Sequence, residues 1–369
     1  ANIFMTGIVA VTGCSQGLGR KCVEYLAKNE EFTVILACRN IQSAREVAEK
    51  ADTNKCVVLD TPLNLSDCDS VRCYATAIKK WLGERKITSL INNAGVGGYP
   101  KIKKTAQGFD EIWATNHLGH FLLTLLLLPS MDINCRIVNV SSEVHDKDQQ
   151  TPLPDPSEHW PISDEQYTTY LAEGIPIEGE SENTSGLRRY SRSKLCNVMF
   201  TYELARRLGN RQFAIPALVT EEVESALIKM QSEDESKDNY LCKLPSASSI
   251  TVIAMNPGLM IDTGFISAAM GWFVAYLAYF SLPLLRLSPL GSFIRSSDQS
   301  GMDLGRLAVG SEFKEVSSCY FNGITKQPSS LFSRSLESIT IHQRKLWTHS
   351  LKWAAVTPEE LTAAGFSTE

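Results

Sequence analysis

The stretch that decides the fold is "IVAVTGCSQGLG", residues 8–19. Its first five residues are apolar or β-branched, which predicts a buried strand. Three glycines then permit a tight turn, and the amphipathic pattern that continues to Ala27 predicts a helix. Such a strand–turn–helix unit can bind a pyrophosphate, because the free N–H groups at a helix start face the anion. A glycine-rich turn alone is a weak signal, and this context strengthens it.

The same alternation of strand and helix continues along the chain. Further strands are predicted at residues 33–38, 55–59, 89–95, 136–141 and 249–255, with helices between them. Near-continuous Val and Ile runs are typical of strands that are covered on both faces. The pattern therefore predicts an α/β fold, a single Rossmann-type doubly wound parallel sheet with helices on both faces.

We expect one domain over residues 1–369 with two insertions. Residues 151–189 are rich in Pro, Glu and Ser, and residues 210–248 contain the acidic run "SEDESKDN". Strands resume after each segment, which favours insertions over linkers between domains. Residues 265–290 are strongly apolar, but Pro283 interrupts them before the roughly 20 residues that cross a bilayer.

The composition argues against several classes of protein. A net charge of −5 offers no basic surface for nucleic acid. Ten cysteines without a CxxC pair favour a reducing compartment, with Cys14 and the others as packing residues. His117 and His120 have no third ligand nearby, so no metal site is predicted. The start of the sequence lacks the basic region of a signal peptide, which favours a cytoplasmic protein.

Six motifs, the glycine-rich turn included, follow one another along the chain. They are "TGCSQGLG" (12–19), "NNAG" (92–95), "NHLGHF" (116–121), "VNVSS" (138–142), "YSRSK" (190–194) and "NPG" (256–258). In this order and spacing, the chain resembles the short-chain dehydrogenase/reductase family. The resemblance implies an oxidoreductase whose catalytic residues are Asn116, Ser142, Tyr190 and Lys194.

The chemistry of carbonyl reduction explains these residue types. Hydride goes to carbon and a proton goes to oxygen, and the resemblance makes Tyr190 the proton donor. Lys194, one helical turn along the same face, would lower the pKa of Tyr190 and reach the ribose hydroxyls. Ser142, rather than Ser141, would hold the substrate oxygen, and Asn116 would pass protons through water to Lys194. Taken singly, the Tyr–Lys pair is ordinary helix surface, the serines form a turn, and Asn116 caps a helix.

The end of the second strand favours NADPH/NADP as the cofactor. An acidic residue there would bind NAD, whereas Arg39 can pair with a 2′-phosphate. The family commonly has Asp beside the adenine, where "LNLS" has Asn64, and Asp60 is the alternative. The resemblance assigns cofactor contacts to Gly13, Ser15, Gly17, Leu18, Gly19, Arg39, Asn64, Asn93, Ala94, Gly95, Tyr190, Lys194, Pro257, Gly258 and Thr263.

Within the family, three segments resemble the retinol dehydrogenase and light-dependent protochlorophyllide reductase branch: "TNHLGHFLLT", "YSRSKLCNVMF" and "SCYFNG…LWTHS". That branch handles bulky, apolar substrates. A substrate lid is expected at residues 259–300, whose apolar part, 265–290, is alternatively a core helix pair or a peripheral membrane contact. The long gap between Ser142 and Tyr190 favours a monomer, because extra structure before the Tyr helix obstructs the usual interface between subunits.

These features predict an NADPH-dependent ketoreductase for a bulky lipophilic or polycyclic carbonyl, in secondary metabolism. Two alternatives remain open. One is reduction of a C=C bond, as in protochlorophyllide reductase. The other, from a different class, is a non-catalytic NADPH-binding regulator.

Overall fold

The structure is a computed structural model that describes residues 7–149, 153–209, 242–244, 247–260 and 294–367. The strands in these ranges are β1 (Gly7–Thr12), β2 (Phe32–Ala37), β3 (Cys56–Val57), β4 (Ile87–Asn92), β5 (Met131–Val140), β6 (Thr251–Asn256), β7 (Leu259–Met260), β8 (Ile294–Arg295), β9 (Cys319–Asn322) and β10 (Thr325–Gln327). The helices are α1 (Gly17–Leu26), α2 (Ile41–Ala51), α3 (Cys68–Leu82), α4 (Glu111–Trp113), α5 (Gly119–Leu127), α6 (Asp164–Gln166), α7 (Glu182–Arg207), α8 (Ser297–Val309), α9 (Leu331–Arg334), α10 (Gln343–Trp353) and α11 (Pro358–Ala363).

The central sheet confirms the predicted fold class. Among the described residues it has eight strands in the order β10-β9-β6-β5-β4-β1-β2-β3. All neighbours are parallel except β9 and β10, which form an antiparallel hairpin. The chain runs outward from β1 to β3 and then returns to the other side of β1 with β4. This reversal opens a crevice at the carboxyl ends of β1 and β4, which is where doubly wound sheets bind ligands.

Helices cover both faces of the sheet, as the alternation along β1 illustrates. Ile8 and Ala10 lie in one core cluster with α3, α5, α7 and α10. Val9 and Val11 lie in the other, with α1, α2 and α8. Successive side chains of a strand point to opposite faces, so a strand that is apolar throughout fits between two helical layers.

The element boundaries differ from the sequence prediction at several places. The third strand shrinks from residues 55–59 to Cys56–Val57. Helix α7 begins at Glu182, where Ser181 accepts a hydrogen bond from Thr184 N at 3.1 Å, so residues 182–189 belong to the helix of Tyr190 rather than to the first insertion. The strands β9 and β10 were not predicted, because each is too short to give a periodic signal.

Several expectations lie outside the described residues. They concern most of the second insertion, the apolar segment 265–290 with most of the expected lid, and Thr263. The described helices include none that is long and apolar enough to cross a membrane.

Candidate active site

The glycine-rich loop requires glycine at its key positions. Gly13 and Gly17 have φ of +64° and +53°. A Cβ at Gly13 would lie 2.6 Å from Ala94 Cα, and one at Gly19 would lie 2.5 Å from Asn93 Nδ2. Side chains at these positions would therefore push the loop away from the end of β4. Leu18 is buried behind the loop and holds the start of α1 in the core.

A hydrogen-bond network joins this loop to the "NNAG" segment. Thr12 Oγ1 accepts from Asn93 N at 2.9 Å and from Ala94 N at 3.0 Å, and Asn93 Nδ2 donates to Thr12 O at 2.8 Å. His120 lies behind it, with Nε2 2.9 Å from Thr12 Oγ1 and Nδ1 3.1 Å from Asn116 O. Because a carbonyl can only accept, Nδ1 donates and Nε2 accepts the Thr12 proton. The glycine-rich loop and the "NNAG" segment, which would lie on either side of a dinucleotide, are thus held together by hydrogen bonds.

His117 and His120 have structural partners, as the sequence suggested. His117 Nε2 lies 3.0 Å from Ser350 Oγ. Burial lowers the pKa of His117 to about 3 and that of His120 to about 4, so both are neutral near pH 7. Within the described ranges, no group of three His, Cys, Asp or Glu side chains could hold a metal ion.

The end of β2 carries the residues expected to select the cofactor. Arg39 is exposed, and no described side chain forms a hydrogen bond or ion pair with it. Leu63 N donates to Cys38 O at 3.0 Å, so Asn64 runs beside this strand end. Asp60 is instead turned to solvent and pairs with Arg45. Of the two candidates for the position beside the adenine, the structure brings Asn64 to the strand end.

Tyr190 and Ser142 meet at the carboxyl end of β5. Burial raises the pKa of the Tyr190 phenol, a hydrogen bond from the Ser142 side chain opposes that rise, and the charge of Glu143 adds to it. Ser141 lies elsewhere, because its Oγ donates to Lys194 O at 2.8 Å and fastens β5 to α7. The structure therefore brings Ser142, and not Ser141, to the Tyr190 hydroxyl.

Lys194 follows Tyr190 by one turn of α7 but is turned towards the sheet. Its Nζ donates to Val140 O at 3.2 Å and lies 5.7 Å from the centre of the Tyr190 ring. Burial lowers the pKa of Lys194 to about 8. In this arrangement burial of the phenol is the largest influence on the pKa of Tyr190, and the Lys194 ammonium interacts with a backbone carbonyl. That Lys194 lowers the pKa of Tyr190 stays a prediction.

Asn116 is buried inside a π-helical turn, Ala114–Leu118, and is therefore not the helix cap considered from the sequence. Its Oδ1 accepts from Val96 N at 2.8 Å, and its Nδ2 donates to Val96 O and to Ser193 Oγ. A Cβ on Gly95 would lie 3.4 Å from Asn116 Oδ1 and 3.5 Å from Lys194 Nζ. The ends of β4, the π-helical turn and α7 thus converge on one point.

The loop after β6 contributes the "NPG" residues. Asn256 Oδ1 accepts from Gly258 N at 3.0 Å, and Gly258 has φ of +79°. Pro257 O accepts from Ser300 Oγ at 2.6 Å, which ties the loop to α8. These contacts place the loop at the same sheet edge as Ser142 and Tyr190.

Two functional neighbours were missed by sequence reasoning. Glu143 follows Ser142 directly, accepts a hydrogen bond from the Asn256 side chain, and has a pKa raised by burial. Gly98 packs against Tyr190, since a Cβ there would lie 2.7 Å from Gly186 O and 3.1 Å from Tyr190 Cβ. The only available signals were an acidic residue next to the serine pair and a glycine pair after "NNAG".

This fold and arrangement of motifs are similar to those of the short-chain dehydrogenase/reductase family. The family model for short-chain dehydrogenases matches residues 7–151, and a model for the AcuH dehydrogenase domain matches residues 268–363.

Among curated proteins, the chain is similar to retinol dehydrogenases. It is 34% identical to human retinol dehydrogenase 12 over 63% of this chain and 66% of that protein, and 36% identical to human retinol dehydrogenase 11 over 61% and 64%. The chain thus spans a little less than two thirds of these relatives. It is also 29% identical to the short-chain dehydrogenase iccH of Talaromyces variabilis, over 94% of this chain and 95% of that protein.

Solved structures share the fold at lower identity. The NADPH-bound carbonyl reductase from chicken fatty liver has a TM-score of 0.51 at 18% identity, covering 88% of this chain and 94% of that one. The angucycline C-6 ketoreductase LanV with bound NADP has a TM-score of 0.52 at 19% identity, covering 86% and 95%.

Proposed function

We propose that this protein is an NADPH-dependent ketoreductase acting on the carbonyl of a bulky lipophilic or polycyclic compound. The observation that carries the proposal is the hydrogen bond between the Ser142 side chain and the Tyr190 phenol, one helical turn from the buried Lys194. Names of similar proteins agree with this class: retinol dehydrogenases by sequence, and a carbonyl reductase and a ketoreductase by fold.

In this mechanism a substrate carbonyl oxygen replaces the mutual contact of Ser142 and Tyr190 and accepts a hydrogen bond from each. NADPH supplies the hydride when bound. As the carbonyl carbon gains it, Tyr190 donates its proton to the developing alkoxide, and Ser142 keeps the oxygen in place. The raised pKa of Tyr190 keeps the phenol protonated until that charge develops.

Lys194 and Asn116 support the proton donor. With a pKa of about 8, Lys194 can lose and regain a proton close to neutral pH, which suits a group that restores the proton of Tyr190. The Asn116 side chain already bonds Val96 and Ser193. We assign it the role of holding the end of β4 against α7, beside Lys194.

The residues present fit NADPH. Gly13 and Gly19 hold the loop close against the end of β4, and the N–H groups at the start of α1 would face a pyrophosphate. Arg39 lies exposed after β2, with Asn64 rather than a carboxylate at the neighbouring strand end. Its guanidinium would pair with the 2′-phosphate, which NADH lacks.

We further propose that the chain works as a monomer. Its own helix α10 covers α5 and α7, where Trp347 packs edge-on against Phe121 at 5.1 Å between ring centres. Arg207 of α7 lies 4.4 Å from the Trp347 ring centre. Light scattering after size exclusion should give the mass of one chain, and a dimer mass would contradict this proposal.

The decisive experiment for the reaction uses NADPH deuterated at its transferable position. The substrates are bulky ketones, including an α,β-unsaturated one. A ketoreductase puts deuterium on the carbinol carbon of an alcohol. Deuterium at the β-carbon of a saturated ketone would instead establish C=C reduction. NADPH binding without transfer to any compound of the panel would favour the regulator.

A further inference from the structure

Two cysteines meet beneath the glycine-rich loop. Cys14 lies in the loop and Cys38 follows β2, and their Sγ atoms are 3.2 Å apart. The register brings them together, because Thr12 pairs with Ala37 and Gly13 N donates to Ala37 O at 2.9 Å. A disulfide has an S–S length of about 2.05 Å, so the two sulfurs need to approach by only about 1 Å.

The two thiols have unequal surroundings. Cys14 Sγ lies 3.2 Å from Cys38 Sγ and 3.3 Å from Val11 O, and burial raises the pKa of Cys14. Cys38 Sγ accepts hydrogen bonds from the Cys14 thiol, from the backbone N–H groups of Cys14 and Ser15, and from the Ser15 hydroxyl, and these lower the pKa of Cys38. Cys38 is therefore the better nucleophile and Cys14 the resolving partner.

This arrangement is specific to the pair. The ten cysteines all lie within the described residues, and no other two of them have sulfurs in contact. Cys22, Cys135 and Cys196 are buried singly, and burial raises the pKa of each thiol. Cys73 is exposed but isolated.

We propose that Cys14 and Cys38 form a redox-modification site that a peroxide oxidises to a disulfide. The Cys38 thiolate attacks one peroxide oxygen, the O–O bond breaks, and the other oxygen leaves as water after gaining a proton. Cys38 is then a sulfenic acid. The Cys14 sulfur attacks it, the S–O bond breaks, and the hydroxide takes the Cys14 proton to form a second water. Two sulfurs are oxidised by one electron each, and the two peroxide oxygens are reduced to two waters.

Oxidation should weaken cofactor binding, a consequence that rests on the proposed function. A Cβ on Gly19 would lie 2.9 Å from Cys14 Cα, so the backbone of Cys14 fits closely against the start of α1. Drawing Cys14 towards Cys38 moves the N–H groups that would face the pyrophosphate. It also moves Arg39, the neighbour of Cys38.

The test treats the full chain with hydrogen peroxide, alkylates the remaining thiols and maps the peptides by mass spectrometry. We expect a Cys14–Cys38 cross-link that has lost two hydrogens and that a dithiol reverses. Cys14→Ser should leave a sulfenic acid on Cys38 that a 1,3-diketone traps. Cys38→Ser should form neither product, and Cys73→Ser should behave like the parent. Cys38 that stays fully alkylatable, or a link to another cysteine, would overturn the proposal.

The second readout is the dissociation constant of NADPH, measured by fluorescence before and after peroxide. We expect binding at least about tenfold weaker after oxidation, restored by the dithiol, and a ratio near one for Cys38→Ser. An unchanged constant in the cross-linked protein would overturn the functional consequence. If even the reduced protein fails to bind NADPH, the proposed function fails while the peptide map still decides the disulfide.

Discussion

The first half of the domain and its C-terminal segment differ in how well a sequence pattern marks their contacts. Residues 7–140 build β1 to β5 and their helices from apolar runs with the period of a strand or a helix. Residues 294–367 also pack apolar side chains into both core clusters, but they make buried polar contacts with distant residues as well: His145 Nε2 accepts from Ser330 N at 3.1 Å, and His117 bonds Ser350. Apolar periodicity can be recognised in a sequence, whereas single polar contacts between distant residues cannot.

The first insertion is also held by polar contacts between distant residues, because arginines of α7 bind it beside the candidate active site. Arg188 Nε donates to Glu180 at 2.6 Å, and Arg192 donates to the carbonyls of Glu158 and His159. Arg188 thus pairs with a carboxylate, and Arg192 binds backbone carbonyls of the insertion. The insertion is held in place by the same helix that carries Tyr190.

The largest expected effect comes from breaking the buried ion pair next to Tyr190. Arg189 donates to Asp110 Oδ1 at 2.7 Å, and both side chains are buried. Asp110→Ala leaves Arg189 unpaired, which should lower the free energy of unfolding by about 3–5 kcal/mol. Urea denaturation measures it. Asp60→Ala, which removes an exposed pair with Arg45, is the control, and equal losses in both variants would contradict this reading.

The next effect is a loss of stability in mild acid. Burial lowers the pKa of His145 to about 4 from its usual 6.5, and its Nδ1 donates to Ser142 O at 2.7 Å. Below pH 6.5 the His145 imidazole takes up a proton more readily in the unfolded chain than in the folded protein. The stability that this neutral His contributes is therefore full above pH 6.5 and falls as the pH approaches 4, by on the order of 3 kcal/mol.

Denaturation curves at several pH values check this expectation. His145→Gln should flatten the dependence between pH 6.5 and 4, whereas His159→Asn, at an exposed position, should not. The buried His117 and His120 keep part of the slope in both variants. An identical slope in His145→Gln and the parent would show that the contact with the C-terminal segment does not control acid stability.

A smaller effect is expected at the cofactor end of the site. Arg39→Ala removes the proposed partner of the 2′-phosphate, so NADPH binding should weaken roughly tenfold to a hundredfold while NADH binding changes little. Dissociation constants from fluorescence titration give both values. Equal affinities of the parent for the two cofactors would refute the assignment to Arg39.

The smallest effect concerns Glu143. Its charge raises the pKa of Tyr190, so Glu143→Gln should shift the basic limb of the pH–rate profile to lower pH. Glu31→Gln, at an exposed position far along the chain, serves as the control. A profile unchanged by Glu143→Gln would show that this carboxylate does not act on Tyr190.

The sequence predicted the elements with a periodic apolar pattern and the segments that contain a motif. The strands from β1 to β6 and the order of the glycine-rich, "NNAG" and Tyr–Lys segments followed from periodicity and residue type. The structure places them at one sheet edge. Whether Asn116, Ser142, Tyr190 and Lys194 carry out catalysis stays a prediction.

Other features could not be read from one sequence. Thr12, His120 and Asn116 are linked across three elements, and nothing local marks the His as their connection. The start of α7 at Glu182 could not be predicted from an apolar pattern. Its first turns contain arginines that are buried because they pair with carboxylates. The Cys14–Cys38 contact depends on the register of β1 and β2, which composition does not reveal.

The most direct test of the central claim is the turnover of Tyr190→Phe compared with Tyr202→Phe. Both tyrosines lie on α7, but Tyr202 donates its hydroxyl to Ser329 Oγ at 2.6 Å, away from Ser142. With a ketone that the parent reduces, we expect Tyr190→Phe to bind NADPH normally and to lose at least about 100-fold in kcat, while Tyr202→Phe retains most activity. Unchanged turnover in Tyr190→Phe would contradict Tyr190 as the proton donor.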